Sequence, residues 1–263
     1  MARYTEQFDM SIQNTPPASM PTALAREARS VLARSLGLAV VAVPVPVLGG
    51  AVHGAAALTG LALFAGLLLG VERGLAAHHP HPRLGVANRI TLVRAAIACL
   101  IAARAIEPAP LEAPERWLLA AIAGAALLLD GADGWAARRQ GLASDFGARF
   151  DMEVDAFAIL VLAIIVAKAH AVPYWVLAIG GMRYLYLAAT LALPPLRRPL
   201  PPRPIADRRR KTIAVIQSVG LTVALVPASP ADWASAICAA ALILLVYSFA
   251  ADIVILRSTR PHR

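Results

Sequence analysis

Residues 117–168 read WLLAAIAGAALLLDGADGWAARRQGLASDFGARFDMEVDAFAILVLAIIVAK, two apolar runs joined by a stretch dense in acids and glycines. The first run ends at Asp130, with Asp133 three residues on, and the second begins behind Asp151 and Asp155. A carboxylate inside a bilayer costs about 2.5–3.5 kcal/mol on insertion scales, so acids gathered here need a chemical reason. Asp130 stands eight residues before Arg138, ~12 Å deeper than that basic boundary on a continuous helix. The spacing therefore puts Asp130 within the bilayer.

At 100° per residue Asp130 and Asp133 share one helical face, and Asp151 and Asp155 share another at the start of the next helix. The short connection predicts antiparallel neighbouring helices, so that all four carboxylates converge in the inner leaflet. Four like charges in a low dielectric require cations. With no His or Cys nearby, hard oxygen donors select Mg²⁺ or Mn²⁺, and four carboxylates suit a pair of ions of the kind used in phosphoryl displacement. Gly134 and Gly147 lie one turn from Asp130 and Asp151, where a missing side chain lets a phosphate or nucleotide approach the backbone. Ala137 keeps the same face small, and Arg138 offers a guanidinium fork to a phosphate.

The rest of the chain supplies the setting. Of its 263 residues 59% are hydrophobic and 16% charged, with a mean hydropathy of +0.64. Soluble domains run at about 45–50% and 25% respectively, so one soluble core could not bury this excess. Apolar stretches at 90–106, 117–137, 150–172, 173–194, 212–227 and 233–256 predict six spans. The charge-free run 35–71, broken by Pro44, Pro46, Gly49, Gly50 and Gly54, predicts two more as a hairpin turning near Gly49 to Gly54, with a bent, partly re-entrant segment as the alternative. The expected fold is an all-α integral membrane protein: a cytoplasmic tail over 1–34, the hairpin over 35–72, a six-span core over 85–257 and a basic tail over 258–263, about eight spans in all.

The net charge of +9 is explained by topology. Arg138, Arg139 and Arg149, then Arg197 to Lys211, then Arg257 to Arg263 all fall at one end of the spans, and the positive-inside rule makes that end and both termini cytoplasmic. No nucleic-acid motif accompanies the charge. His78, His79 and His81 lie in a Pro-rich loop without Cys or carboxylate partners, and Cys99 and Cys238 sit singly in apolar runs, so neither group predicts a metal or disulfide.

The series Asp130, Asp133, Gly134, Ala137, Arg138, Gly147, Asp151, Asp155 resembles, in residue type and spacing, the signature D-x2-D-G-x2-A-R-x8-G-x3-D-x3-D of the CDP-alcohol phosphotransferase family. The likeness extends to NRITLVR, since the family's first core helix commonly opens with residues placed as Asn88, Thr91 and Arg94 are here. It covers the six-span pattern from about 88 to 256 and leaves the first 85 residues outside. What it implies is transfer of a substituted phosphate from a CDP-linked donor to an alcohol, with release of CMP, in a bacterial-type cytoplasmic membrane with the active site facing the cytoplasm. By the same likeness Asp130, Asp133, Asp151 and Asp155 surround two Mg²⁺ or Mn²⁺ ions, and Asp151 and Asp155 are catalytic, with Asp155 the candidate general base. Asn88, Thr91, Gly134, Ala137, Arg138 and Gly147, together with Asp130 and Asp133, seat the CDP part. Family members often pair, which makes a homodimer an expectation.

The expected donor is CDP-diacylglycerol and the acceptor a small hydroxylated molecule; the reverse arrangement, a CDP-aminoalcohol donating to diacylglycerol, shares the motif. Readings from other classes are a membrane transporter using the aspartates as an ion relay and a catalytically inactive scaffold. A relay has no need of Gly134, Ala137, Arg138 and Gly147 at fixed intervals from the acids, and the intact acids speak against a scaffold. Arg183 interrupts an apolar helix and calls for an acceptor phosphate, a salt bridge to one of the aspartates, or snorkelling to an interface. Lys211 is a second candidate for an acceptor phosphate, against ordinary anchoring to lipid headgroups. Glu153 and Asp145 are expected to be solvated or paired with Arg139 or Arg149, and Asp252 to pair with a neighbouring arginine.

Overall fold

A computed structural model describes residues 22–42, 54–78, 83–140, 144–192 and 204–258. Among them the chain forms eight α-helices and no strand. They are α1 (Thr22–Ala42), α2 (Gly54–His78), α3 (Gly85–Ile106), α4 (Ala113–Gln140), α5 (Asp145–Lys168), α6 (Leu177–Ala192), α7 (Pro204–Leu225) and α8 (Ala231–Ser258). Helices are the expected outcome for an apolar chain in lipid, where every backbone N–H and C=O must find its partner within the segment.

Three helices contain stretches long and apolar enough to cross a membrane: Gly54–Leu75, Gly85–Ile106 and Ala231–Val254. The others depart from a plain apolar span for visible reasons. Asp130 and Asp133 lie in α4, while Asp151, Glu153 and Asp155 lie in α5; α7 opens with Arg208 to Lys211, and α6 is only 16 residues long. The polar residues that give the chain its chemistry also lower the hydropathy of the helices that carry them.

The short connection leads the sequence reading to expect α4 and α5 packed side by side. Instead α3 and α7 each lie against both, and α5 also packs on α6, while α8 packs on α7. Ala95, Ala98 and Ala102 are buried along α3, and small side chains of this kind let helix backbones approach closely without a hydrophobic driving force. α3 and α5 are thus the two central helices.

Each contributes to two clusters. The larger joins Ile101 and Ala102 of α3 and Leu119, Ala120 and Ala123 of α4 to the Ile159–Ala167 half of α5, together with Leu221 and Leu225 of α7 and Cys238 of α8. The second packs Phe64, Leu68, Val71 and Leu75 of α2 against Leu92, Ala95 and Cys99 of α3 and Phe146, Phe150 and Val154 of α5. Gly60 permits this: a Cβ there would stand 2.7 Å from Ala103 Cβ.

α1 begins at Thr22 and takes Arg26, Arg29 and Arg34 into its course. Glu27 pairs with Arg89 of α3 at 2.6 Å, and Arg29 with Glu72 of α2 at 3.3 Å, so charged positions tie α1 to its neighbours. The predicted turn at Gly49 to Gly54 lies outside the described residues except Gly54, which opens α2; His79, His81, Arg197, Arg198, Arg203, Arg260 and Arg263 also lie outside them.

At the far end of α3 a polar lock closes the bundle. The buried Arg104 guanidinium pairs with both oxygens of Glu115 and donates to the carbonyls of Ala109 and Pro110. Lys168, in the last turn of α5, donates to the carbonyls of Arg104, Ala105 and Glu107. These bonds cover the C-terminal carbonyls of α3, which its own helix leaves without partners. α5 ends in a Schellman motif, with His170 in the left-handed region at φ 51 and N–H bonds from His170 to Ala167 O and from Ala171 to Val166 O.

Candidate active site

Three carboxylates from α4 and α5 converge on one arginine of α3. Arg94 Nη1 lies 2.7 Å from Asp130 Oδ1 and 2.7 Å from Asp151 Oδ1, and Nη2 pairs with Asp155 Oδ1. Oxygens of the three acids lie within 4.8 Å of one another. Arg94 is only 7% exposed while the acids are partly exposed, so the guanidinium lies beneath the carboxylates.

The start of α5 is built to hold this arrangement. Ser144 adopts extended backbone (φ −142, ψ 155), and its hydroxyl accepts the Gly147 N–H at 3.1 Å as the N-cap. Asp145 adds a negative charge in the first turn, where the helix dipole favours it. Phe146 and Phe150, their rings stacked at 5.8 Å, bury another side of these turns in the second cluster. With that side anchored in apolar packing, Asp151 and Asp155 are directed toward Arg94.

The first turns of α3 meet α5 closely. Asn88 is buried, and its Nδ2 donates to Leu84 O at 2.6 Å. Its Oδ1 faces Gly147, where a Cβ would stand 2.8 Å away. Gly147 thus gives Asn88 room, and its own N–H is already taken by Ser144. The buried Thr91 hydroxyl donates to Ala87 O at 3.1 Å, one turn before Arg94.

Two sets of basic residues flank the cluster. Arg183 of α6 pairs with Glu153, so its anion is a glutamate of α5 rather than one of the aspartates, and Glu153 finds a partner on another helix; the Arg139 side chain lies outside the described residues. In α7, Arg209 and Arg210 both clamp Asp252 of α8, Arg210 at 2.9 Å, and Arg209 lies 5.9 Å from the Tyr247 ring centroid. Arg208 and Lys211 are exposed, and Lys211 lies near enough to Asp130 for its charge to act there.

The donor chemistry fits a hard divalent cation. The group found among the described residues consists of carboxylates alone, without the imidazole or thiolate that would favour zinc.

A family model, CDP-alcohol phosphatidyltransferase, matches residues 84–249. The chain belongs to that family. No curated protein and no solved structure matches it. CDP-alcohol phosphatidyltransferases are membrane transferases of phosphate-containing groups in phospholipid biosynthesis, so this chain is an integral membrane enzyme of that class, and divalent metal is a property of the family. The match takes in α3 to α7 and most of α8, and leaves α1 and α2 outside.

Against the family signature, the structure brings together Asp130, Asp151 and Asp155, and sets Asn88 against Gly147. Asp133, Gly134, Ala137 and Arg138 lie within the helical course of α4, and their side chains are outside the described residues. Arg94 is the residue whose position the sequence reading passed over, quoting it only as the close of the Asn88, Thr91, Arg94 series. The signal was present: an arginine inside an apolar helix needs an anionic partner, and the motif aspartates are the nearest acids expected at its depth.

Proposed function

We propose that this CDP-alcohol phosphatidyltransferase moves a phosphatidyl group from CDP-diacylglycerol to a small hydroxylated acceptor and releases CMP. The observation that carries the reading is the meeting of Asp130 with Asp151 and Asp155 across two helices, at the family's own motif positions. Asp130, Asp133, Asp151 and Asp155 would hold two Mg²⁺ or Mn²⁺ ions, which when bound neutralise the pyrophosphate and the charge that develops on departing CMP.

The chain's own residues do the rest. Asp155 accepts the proton of the acceptor hydroxyl as that oxygen attacks phosphorus; the bond from phosphorus to the CMP oxygen breaks, and CMP departs. Asn88, Thr91, Gly134, Ala137, Arg138 and Gly147 seat the CDP part, with backbone exposed at the glycines and a guanidinium fork at Arg138. Arg183 and Lys211 receive a phosphate on the acceptor; Lys211 is exposed and acts electrostatically on Asp130, which suits it to an anion arriving from water. The six helices of 85–257 form the transferase core, and the α1–α2 pair buttresses the helix that carries Asp151 and Asp155. The basic residues at the cluster's end orient it toward the cytoplasm.

The test is CMP release by the purified protein in mixed micelles with CDP-diacylglycerol, Mn²⁺ or Mg²⁺, and glycerol 3-phosphate, inositol phosphate, inositol or serine in turn. Release with one acceptor, lost with EDTA and in Asp151→Ala, is the expected result. Release only when a CDP-aminoalcohol and diacylglycerol replace these substrates would overturn the donor assignment.

A further inference from the structure

Arg94 engages one oxygen of each of the three carboxylates that a metal would need. Its two terminal nitrogens take Oδ1 of Asp130, Asp151 and Asp155, and the guanidinium is buried beneath them. A guanidinium bonds a carboxylate at about 2.7–2.9 Å, and Mg²⁺ at about 2.0–2.1 Å. Each carboxylate keeps a second oxygen for a metal, but two positive charges at such separations repel strongly in a poor dielectric. The arginine has no alternative protonation state with which to yield, because its charge is fixed.

We propose that Arg94 is an internal cation that competes with divalent metal for the charge of Asp130, Asp151 and Asp155, so that its presence opposes metal loading. This rests on the reading of these aspartates as metal ligands. Arg94 holds like-charged carboxylates of two separate helices together, and among the described residues α4 and α5 share little direct packing that could do so in its place. The same contact weakens the apparent metal affinity. Arg94 is a positioning residue whose effect is opposite on the two quantities: it favours the folded site without metal and opposes metal in it.

The experiment measures Mn²⁺ binding by electron paramagnetic resonance, and thermal unfolding in detergent micelles with EDTA or with saturating Mn²⁺, for wild type, Arg94→Gln and Arg94→Lys. Arg94→Gln should bind Mn²⁺ about tenfold more tightly, unfold at a lower temperature than wild type in EDTA, and recover most of that difference in Mn²⁺. Arg94→Lys, which keeps the charge but has only a single-point donor, should lie between the two on both scales and serves if the Gln variant does not fold. Unchanged or weaker Mn²⁺ binding in the variants, with equal losses of melting temperature with and without metal, would make Arg94 a structural residue only and overturn the competition. A wild-type protein that neither binds Mn²⁺ nor responds to EDTA would instead overturn the metal-ligand reading beneath it.

Discussion

Asn88 Oδ1 sits where a side chain on Gly147 would have to go: a Cβ built at Gly147 stands 2.8 Å from it and 3.3 Å from Ser144 Oγ. Asn88 has little freedom to retreat, because its amide is buried and bonded to Leu84 O at 2.6 Å. The motif glycine therefore fixes how closely α3 approaches the start of α5. Gly147→Ala should destabilise the protein by about 1–3 kcal/mol as an overpacked site. Adding Asn88→Ala should return part of that loss, a non-additivity expected of residues in contact. Thermal unfolding of the two single variants and the double variant checks this; strictly additive losses would mean that the two residues do not press on one another.

Arg104 and Glu115 form the lock at the other end of α3, ten residues from Arg94 and ~15 Å along the helix. Arg104→Ala leaves Glu115 and two loop carbonyls without their donor, and breaking a buried pair from one side costs about 3 kcal/mol or more. The variant should melt at a lower temperature while the folded fraction keeps its metal-dependent turnover. Loss of turnover at full stability would place Arg104 in the reaction, contrary to its position.

Asp155 and Asp151 should separate in their effects. Asp155→Asn removes the proposed base while leaving the other aspartates in place, so turnover should fall by a factor of about 10² or more, with metal-dependent CDP binding largely kept. Asp151→Asn should weaken both. Equilibrium binding of CDP in Mn²⁺ beside CMP release distinguishes the two, and near-normal turnover in Asp155→Asn would remove that residue from the mechanism.

Arg183 and Glu153 test whether their ion pair is an end in itself. Glu153 is more than half exposed, so the pair contributes little to stability, and an exposed pair of this kind is worth under about 1 kcal/mol. Arg183→Gln should raise the acceptor KM with kcat little changed, and Glu153→Gln should leave the acceptor KM near wild type or lower it by freeing the guanidinium. Identical acceptor dependence in both variants and wild type would discard the acceptor role of Arg183.

Helix locations were legible because apolar runs of the right length leave a lipid-embedded chain no other structure. The pairing of Asp130 with Asp151 and Asp155 was legible too, since i, i+3 and i, i+4 spacings fix a face whatever surrounds it. Which helices touch was not. A short connection suggested that α4 packs on α5, yet the alanines of α3 bring that helix against both, and small residues announce close packing without naming the partner. The partners of charged residues were hidden for the same reason. Glu153 reached Arg183, and Asp252 reached Arg209 and Arg210, each across to another helix. The arginine partner expected for Asp252 is there, but the helix that supplies it is set by packing that sequence spacing does not reveal. Arg94 shows the complementary case: its need for an anion was legible, and its partners among the described residues, Asp130, Asp151 and Asp155, were not.

On the proposed function, the cluster of Asp130, Asp151 and Asp155 is where a CDP-linked donor meets divalent metal. Crystals of the protein grown with Mn²⁺ and CDP, measured at the manganese absorption edge, test it most directly. Two anomalous peaks within bonding distance of these carboxylates, both bordering the pyrophosphate of CDP, are the predicted result. CDP bound with no manganese at the aspartates, or manganese confined to another part of the molecule, would contradict it.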